Sequence, residues 1–413
     1  MVSCRMPQIR LFPRALGQFL RSLGKENSSS YRSLCTALAA TVGTGNIAGV
    51  AGAIALGGPG ALFWMWLGAF LGMGVKFAEG TLAVAFREKD PAGGYRGGPM
   101  YIIRMGLPKA MGFLAPCYAF LGLFAAFGVG NATQVNAVLS ALKESGACYG
   151  FSVHPLTSVI LGLLLGILVA VLVSGGAAKI GAAAELLVPV AALGYVLVCA
   201  WALWLRREAV PDALNAVFRG AFSPKAVTGG VVGSAFTALR IGFSRGVFTN
   251  EAGMGTAAMA HASAEVNHPA DQGLMGIMEV FLDTIVICSM TALVILTSPE
   301  AVPYGAFAGA ELTARALSSV LGSWASAFVC ACLGLFALAT ILGWGLYAGR
   351  CAEFLLGRMN WRTFALGQGI CVLLGAVLET GIVWTLSELM NGLMAIPNLI
   401  ALLFLLPKLR RLT

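Results

Sequence analysis

The chain has 413 residues, of which 58% are hydrophobic and only 11% are charged, and its formal net charge is +9. Soluble globular domains carry about 25% charged residues, so this composition excludes a soluble protein. The basic residues lie mainly between apolar stretches, a pattern that indicates membrane topology and not nucleic-acid binding.

The first 33 residues are polar and basic, and they contain no apolar core of the kind that a signal peptide requires. We therefore expect residues 1–33 to form a cytoplasmic segment ahead of the first span. A bilayer core requires about 20 predominantly apolar residues per helix. Ten segments meet this requirement, at residues 34–56, 59–86, 112–142, 156–174, 184–205, 227–250, 272–297, 325–349, 363–379 and 381–407.

The ten segments divide into two halves of five. An even number of spans places both chain ends on one side, and the concentration of Lys and Arg there predicts that this side is cytoplasmic. The halves then begin on opposite sides, as in an inverted-topology repeat within an all-α membrane bundle. The predicted divisions after residue 33 are a first repeat at 34–205, an extracellular connection at 206–226, a second repeat at 227–407 and a cytoplasmic tail at 408–413.

Segment 1 is expected to be broken near its middle. Residues 41–50 read TVGTGNIAGV, with three glycines within seven residues. Glycine weakens a helix, and an unwound stretch inside a membrane must bind a ligand, an ion or water. Close packing through small residues would also explain the glycines. Packing alone does not require Thr44 and Asn46 in the same stretch, so the sequence favours a binding site.

Segment 6 occupies the equivalent position in the second half, where inverted-repeat transporters carry their second break. Residues 228–237 are rich in glycine and polar residues, and we expect the break there. Phe236 and Phe243 follow the pattern of either pocket-lining or lipid-facing aromatics, and the sequence leaves both interpretations open.

Polar side chains inside other segments are costly in a bilayer and mark further candidate sites. They are Asn131, Gln134 and Asn136 in segment 3, Asp283 and Thr284 in segment 7, and Thr340 and Trp344 in segment 8. Lys76 and Glu79 in segment 2 are three residues apart and are expected to neutralise each other. Asp283 has no basic residue within four positions, so we expect it to contact a cation or a distant arginine.

An enzyme is not expected. The three histidines, His154, His261 and His268, all fall in predicted loops, and no nucleophile, metal or phosphate-binding pattern accompanies them. The ten cysteines lack metal-like spacing and suit small apolar positions. We expect no cofactor and no metal beyond a coupling cation.

Six motifs occur in order along the chain: ALAATVGTGNIAGVA, KFAEGTLAVAFRE, GGPMYII, RGVFTNEAGMGTAA, QGLMGIMEVFLDTIVICSMTALVIL and ATILGWGLY. Together they resemble the alanine or glycine:cation symporter family, whose fold is similar to the leucine-transporter inverted repeat. The resemblance implies Na⁺- or H⁺-driven uptake of alanine or glycine across the plasma (inner) membrane. The partners would be a small neutral amino acid, a monovalent cation and the lipid bilayer.

The resemblance also implies where the ligands bind. The substrate would lie between segments 1, 3, 6 and 8, and the matching residues are Gly45, Asn46, Gln134, Thr340 and Trp344, with Phe243 as the candidate from segment 6. The cation candidates are Thr41, Thr44, Asp283 and Thr340.

The chain departs from the family pattern at several positions. Ala339-Thr340 stands where the family usually has Ser-Thr, which removes a hydroxyl that Na⁺ could use, and Gly349 replaces a common acidic residue. The motif after segment 6 has Thr249 in place of Ser and ends in Thr-Ala-Ala, not Ser-Ala-Pro. Family members also usually begin with one more span, so a late start or a shortened member is expected.

These departures keep a second function open, namely a transport-inactive relative that acts as a sensor or scaffold. A passive channel is less consistent with broken helices than alternating access is. The sequence does not choose between Na⁺ and H⁺ or between alanine and glycine.

Overall fold

The computed structural model describes residues 5–23, 28–91, 93–150, 154–377 and 380–413, and it is almost entirely helical. Two short helices, α1 (Pro7–Arg10) and α2 (Phe12–Leu23), precede the first predicted span. Phe12 places its ring 5.0 Å from that of Phe281, and Arg14 forms a 2.8 Å ion pair with Asp271. The N-terminal segment is therefore docked on the helix of segment 7.

The first half contains segments 1 to 5. Segment 1 is divided between α3 (Ser29–Thr41) and α4 (Ala48–Gly57), which are bent by 61°. The helices that follow are α5 (Ala61–Ala85), α6 (Pro99–Gly106), α7 (Leu114–Phe127), α8 (Thr133–Cys148), α9 (Pro155–Val173) and α10 (Gly176–Leu205). A π-helix at Gly128–Ala132 joins α7 to α8. Strands β1 (Glu88–Lys89) and β2 (Tyr95–Arg96) form an antiparallel hairpin before α6.

The second half contains segments 6 to 10 and, with the connection that precedes it, several short helices between them. In chain order the helices are α11 (Val210–Phe222), α12 (Pro224–Thr228), α13 (Ala235–Asn250), α14 (Ala258–His261), α15 (Pro269–Val280), α16 (Ser289–Thr297), α17 (Ala310–Leu321), α18 (Trp324–Leu356), α19 (Trp361–Gly375), α20 (Thr380–Phe404) and α21 (Leu406–Arg411). A π-helix at Phe281–Cys288 joins α15 to α16, so segment 7 is continuous.

Each of the ten predicted segments overlaps a helix. Among the described residues, six helices are long and apolar enough to cross a membrane, and the bent α3–α4 pair makes seven. Segments 6, 9 and 10 overlap α13, α19 and α20. Segment 5 begins earlier than predicted, at Gly176, because the charged Lys179 lies within the helix. The predicted end of segment 9 at residue 379 lies outside the described residues.

Glycine brings α5 and α15 into close contact. A Cβ at Gly276 would lie 2.7 Å from the carbonyl oxygen of Lys76, and one at Gly273 would lie 2.7 Å from that of Phe77. Small residues at a membrane helix interface allow such backbone contact. Segments 2 and 7 therefore form one closely packed pair beside the breaks.

Candidate functional site

The first break lies between α3 and α4, as the glycines of segment 1 predict. α3 ends at Thr41, a 3-10 turn covers Thr44–Asn46, and α4 begins at Ala48. Gly43 is extended, and a Cβ at this position would lie 2.6 Å from Oγ1 of Thr340 on α18. The chain therefore approaches α18 so closely that only glycine fits.

Asn46 holds the first break in shape. Its Oδ1 accepts a 2.8 Å hydrogen bond from the backbone N–H of Gly43. Its Nδ2 donates to Oδ1 of Asp283 at 2.7 Å and to the backbone carbonyl of Asp283 at 3.1 Å. Both donors of the Asn46 amide are thus directed at segment 7, which makes this predicted substrate residue a link between two segments.

Asp283 lies in the π-helix of segment 7 and is fully buried. Oδ1 accepts from Asn46, and Oδ2 accepts a 2.7 Å bond from the hydroxyl of Thr284. Thr284 in turn accepts from Nδ2 of Asn250, the last residue of α13. Among the described residues, Asp283 forms no ion pair with a basic side chain. The expected distant arginine is therefore not found in this part of the chain, and the contact with a cation stays a prediction.

The second break is not where the sequence predicts it. Residues 229–234 form a loop that precedes α13, and α13 then runs without interruption to Asn250. The interruption lies at residues 251–257, between α13 and the short helix α14. The error arose because the apolar run ends at residue 250, so the polar motif TNEAGMGTAA was assigned to a loop outside the membrane.

Glu79 of α5 stabilises the second break. Its Oε1 accepts three hydrogen bonds: from the backbone N–H of Gly253 at 3.0 Å, from that of Gly255 at 3.1 Å, and from Nδ2 of Asn398 at 2.7 Å. Both glycines have positive φ. Unwinding frees backbone N–H groups, and this buried carboxylate satisfies two of them.

The expected pairing of Lys76 with Glu79 is therefore wrong. Lys76 instead donates to Oε1 of Glu279 on α15 at 2.7 Å, and both side chains are fully buried. The other oxygen of Glu279 lies 3.0 Å from Nε2 of His261, which is buried in α14 and not in a loop. Gln272 continues this network from His261 Nδ1 to the hydroxyl of Ser30 on α3. The three-residue spacing places Lys76 and Glu79 on one face of α5, but it does not reveal Glu279 on α15, which is the partner of Lys76.

Within the described ranges, two buried hydroxyls beside the first break have no hydrogen-bond partner. They belong to Thr44 and Thr340, and both residues are buried. Oε1 of Gln134 on α8 lies 3.4 Å from the backbone N–H of Thr44. The structure therefore brings together the predicted residues from segments 1, 3 and 8 at one point. Gly45 lies against Thr249 of α13, since a Cβ at Gly45 would lie 3.2 Å from its Oγ1.

Trp344, one turn after Thr340 on α18, is almost fully buried. Its indole Nε1 donates a 2.9 Å hydrogen bond to Oε1 of Glu251 in the second break. The substrate-binding residue predicted from segment 8 therefore contacts the second break directly.

Two predicted site residues lie apart from this cluster. Phe243 packs near Gly68 and 6.2 Å from the ring of Trp64, on a different face of α13 from Thr249. Phe243 and Thr249 are six residues apart, which corresponds to about 600° of rotation and leaves their side chains about 120° apart around the helix. Phe243 therefore cannot share the face of Thr249. The hydroxyl of Thr41 donates to the carbonyl of Ala37 within its own helix, at 3.3 Å.

Thr249, Glu251, Glu79 and Asn398 are site residues that the sequence did not identify. The motif TNEAGMGTAA carried a signal for two of them, Thr249 and Glu251, because its glycines beside polar residues resemble the composition of segment 1. No local signal marked Asn398, which reaches the break from α20.

The whole chain, residues 1–413, matches the model of the Sodium:alanine symporter family. The chain is 41% identical over 406 residues to the sodium/alanine symporter AgcS of Methanococcus maripaludis, covering 96% of this chain and 87% of that protein. It is 43% identical over 407 residues to a transporter of Haemophilus influenzae, covering 96% and 86%. The probable sodium/glutamine symporter GlnT of Bacillus subtilis is 38% identical over 398 residues, covering 96% and 80%.

Two solved structures share the fold at low sequence identity. MhsT in complex with L-phenylalanine has a TM-score of 0.64 at 15% identity, covering 90% of this chain and 87% of that one. Mhp1, a nucleobase-cation-symport-1 family transporter, has a TM-score of 0.53 at 16% identity, covering 89% and 76%. The similarity confirms the predicted inverted-repeat membrane bundle of the leucine-transporter type.

Proposed function

The chain belongs to the sodium:alanine symporter family, and from this premise we infer that it is a Na⁺-coupled symporter that takes up a small neutral amino acid at its two breaks. Alanine and glycine are the substrates that we propose. A sensor or scaffold without transport is not favoured, because the residues at both breaks form an ordered and polar site.

The observation that carries the site assignment is the pair of unpartnered hydroxyls of Thr44 and Thr340. A buried polar group without a hydrogen bond costs about 1–3 kcal/mol, so a native protein rarely keeps two of them together without a use. A bound ligand between α4 and α18 would satisfy both. Gln134 reaches the same point and supplies a third polar group.

The zwitterionic part of the substrate matches the electrostatics of the breaks. The start of α4 carries the positive end of a helix dipole, which suits the substrate carboxylate near Gly45 and Asn46. The end of α13 carries the negative end of a helix dipole, which suits the substrate ammonium. Trp344 limits the space for the side chain.

We place the coupling cation at Asp283, with Thr340 and the carbonyls of the first break as further oxygen ligands. Both oxygens of Asp283 lie within hydrogen-bond distance of polar groups, on Asn46 and Thr284. Among the described residues no basic side chain pairs with Asp283, so its ionised form requires a cation to balance the buried charge. We propose Na⁺ as this cation, because the chain belongs to the sodium:alanine symporter family.

Uptake of radiolabelled alanine, glycine and glutamine into proteoliposomes tests the function. We expect alanine or glycine to accumulate under an inward Na⁺ gradient and not under a proton gradient without Na⁺. Empty liposomes treated with the same gradients are the control. An absence of gradient-dependent uptake of all three would reject the symporter, and uptake under the proton gradient alone would reject the ion assignment.

We also propose that both termini are cytoplasmic in the plasma (inner) membrane, because Lys and Arg are concentrated on that side. A C-terminal fusion to a reporter that is active only inside the cell tests this orientation. If the C-terminal fusion is inactive and a separate fusion within the 206–226 connection is active, the orientation is the reverse of the one that we propose.

A further inference from the structure

Glu251 occupies a backbone conformation that residues with a Cβ rarely adopt. It follows the last turn of α13 with φ 54° and ψ 21°. Besides Arg5 and Met6 near the N-terminus, it is the one described residue other than glycine with a left-handed φ. Glycine or asparagine usually takes this position at a helix end. The presence of glutamate there indicates that its side chain has a role.

The carboxylate of Glu251 is buried and joins two helices at the second break. Oε1 accepts a 2.9 Å hydrogen bond from Nε1 of Trp344, and Oε2 accepts a 2.5 Å bond from the hydroxyl of Thr256. Thr256 lies two residues before α14, so its hydrogen bond ties the carboxylate to the far end of the second break. The carboxylate then fixes the indole of α18.

The indole of Trp344 is confined on its other sides. A Cβ at Gly130 in the π-helix would lie 2.4 Å from Cβ of Trp344, so the backbone of segment 3 touches the base of this side chain. Tyr347 packs edge-on, with ring centroids 5.8 Å apart. The hydrogen bond to Glu251 is the polar contact that sets the rotation of the indole.

We propose that Glu251 is a positioning residue that sets the selectivity of the transporter for the size of the substrate side chain, by holding the indole of Trp344. This proposal rests on the proposed function, because Trp344 limits the substrate only if an amino acid binds beside Thr340. A fixed indole rejects a larger side chain, whereas an indole free to rotate admits it. One methylene group in such a pocket changes affinity by about 10- to 200-fold.

Displacement of radiolabelled alanine by unlabelled alanine, 2-aminobutyrate and valine measures the selectivity in purified protein. Glu251→Ala is expected to lower the preference for alanine over 2-aminobutyrate by about fivefold or more. Glu251→Gln keeps an oxygen that accepts from the indole and is expected to retain the preference within about twofold. Tyr347→Phe is the matched control, because it removes a hydroxyl without a hydrogen-bond partner and keeps the ring beside Trp344.

An unchanged preference in Glu251→Ala would overturn the proposal. A folded Glu251→Gln that binds none of the amino acids would also overturn it, because the charge of Glu251, and not its hydrogen bond, would then be required.

A second measurement does not depend on any substrate. Protein with ¹⁵N-labelled tryptophan gives one indole N–H resonance per residue, and Trp344→Phe identifies that of Trp344. We expect this resonance to move in Glu251→Ala and to stay in place in Glu208→Ala, an exposed control. A resonance that does not move would overturn the proposal. A different outcome is a resonance that moves in Glu251→Ala together with a wild-type protein that binds no neutral amino acid. The contact between Glu251 and Trp344 would then stand, and the proposed function would be wrong.

Discussion

The two breaks are held by different chemistry. The first is closed by a neutral amide, since Asn46 accepts from Gly43 and donates to Asp283. The second is closed by a carboxylate, since Glu79 accepts from Gly253 and Gly255. In the described part of the chain, the hydroxyls of Thr44 and Thr340 beside the first break have no hydrogen-bond partner. We therefore expect a bound ligand to complete the first break, whereas a carboxylate of the protein satisfies two backbone N–H groups of the second.

The largest effect is expected at the second break. Glu79→Ala leaves two backbone N–H groups and the amide of Asn398 without their acceptor in a buried position, at a cost of about 3–5 kcal/mol in the free energy of unfolding. The midpoint of thermal unfolding in detergent measures this loss. Glu208→Ala is the exposed control. A Glu79→Ala protein as stable as the control would contradict the assignment of Glu79 to the second break.

A smaller loss of stability is expected at the first break. Asn46→Ala removes the acceptor for Gly43 and the donors for Asp283, which together contribute about 2–3 kcal/mol. Gln134→Ala is expected to lower the unfolding midpoint less, because it removes a long 3.4 Å hydrogen bond from the N–H of Thr44, and to weaken alanine binding as well. Equal loss of stability in both variants would show that Gln134 is as structural as Asn46.

Asp283→Asn tests the charge beside the first break. Asparagine retains an oxygen that accepts from Asn46, so we expect a stable protein. Its apparent affinity for Na⁺ should fall by about tenfold or more, equivalent to about 1.4 kcal/mol. The Na⁺ dependence of alanine binding measures this fall, with Asp271→Asn near the start of the same segment as the control. An unaltered Na⁺ dependence of alanine binding would show that the cation does not bind at Asp283.

The smallest effect is expected for Thr340→Val, which keeps the shape of the side chain and removes a hydroxyl without a hydrogen-bond partner. Its stability should match that of the wild type or exceed it, because no bond within the protein is lost. Alanine binding should weaken by about five- to tenfold, or about 1 kcal/mol. Destabilisation without weaker binding would show that the hydroxyl has a partner inside the protein.

Much of the bundle could be predicted from sequence because apolar length and glycine content are local properties. The first break was found since its glycines interrupt an apolar run. The second was misplaced since Glu251 and the glycines beside it follow the apolar run and resemble a surface loop. Their burial depends on Glu79 and Asn398, which are remote in sequence. The partner of Lys76 was missed for the same reason, as Glu279 is 203 residues away.

The buried ion pair between Lys76 and Glu279 has a consequence for how the transporter moves. With His261, Gln272 and Ser30 it connects α3, α5, α14 and α15. Separating a buried ion pair costs about 3–5 kcal/mol, so pulling any one of these helices away from the others is costly. A movement of all four together keeps this network intact. We therefore expect α3, α5, α14 and α15 to move as one unit during alternating access, and not as single helices.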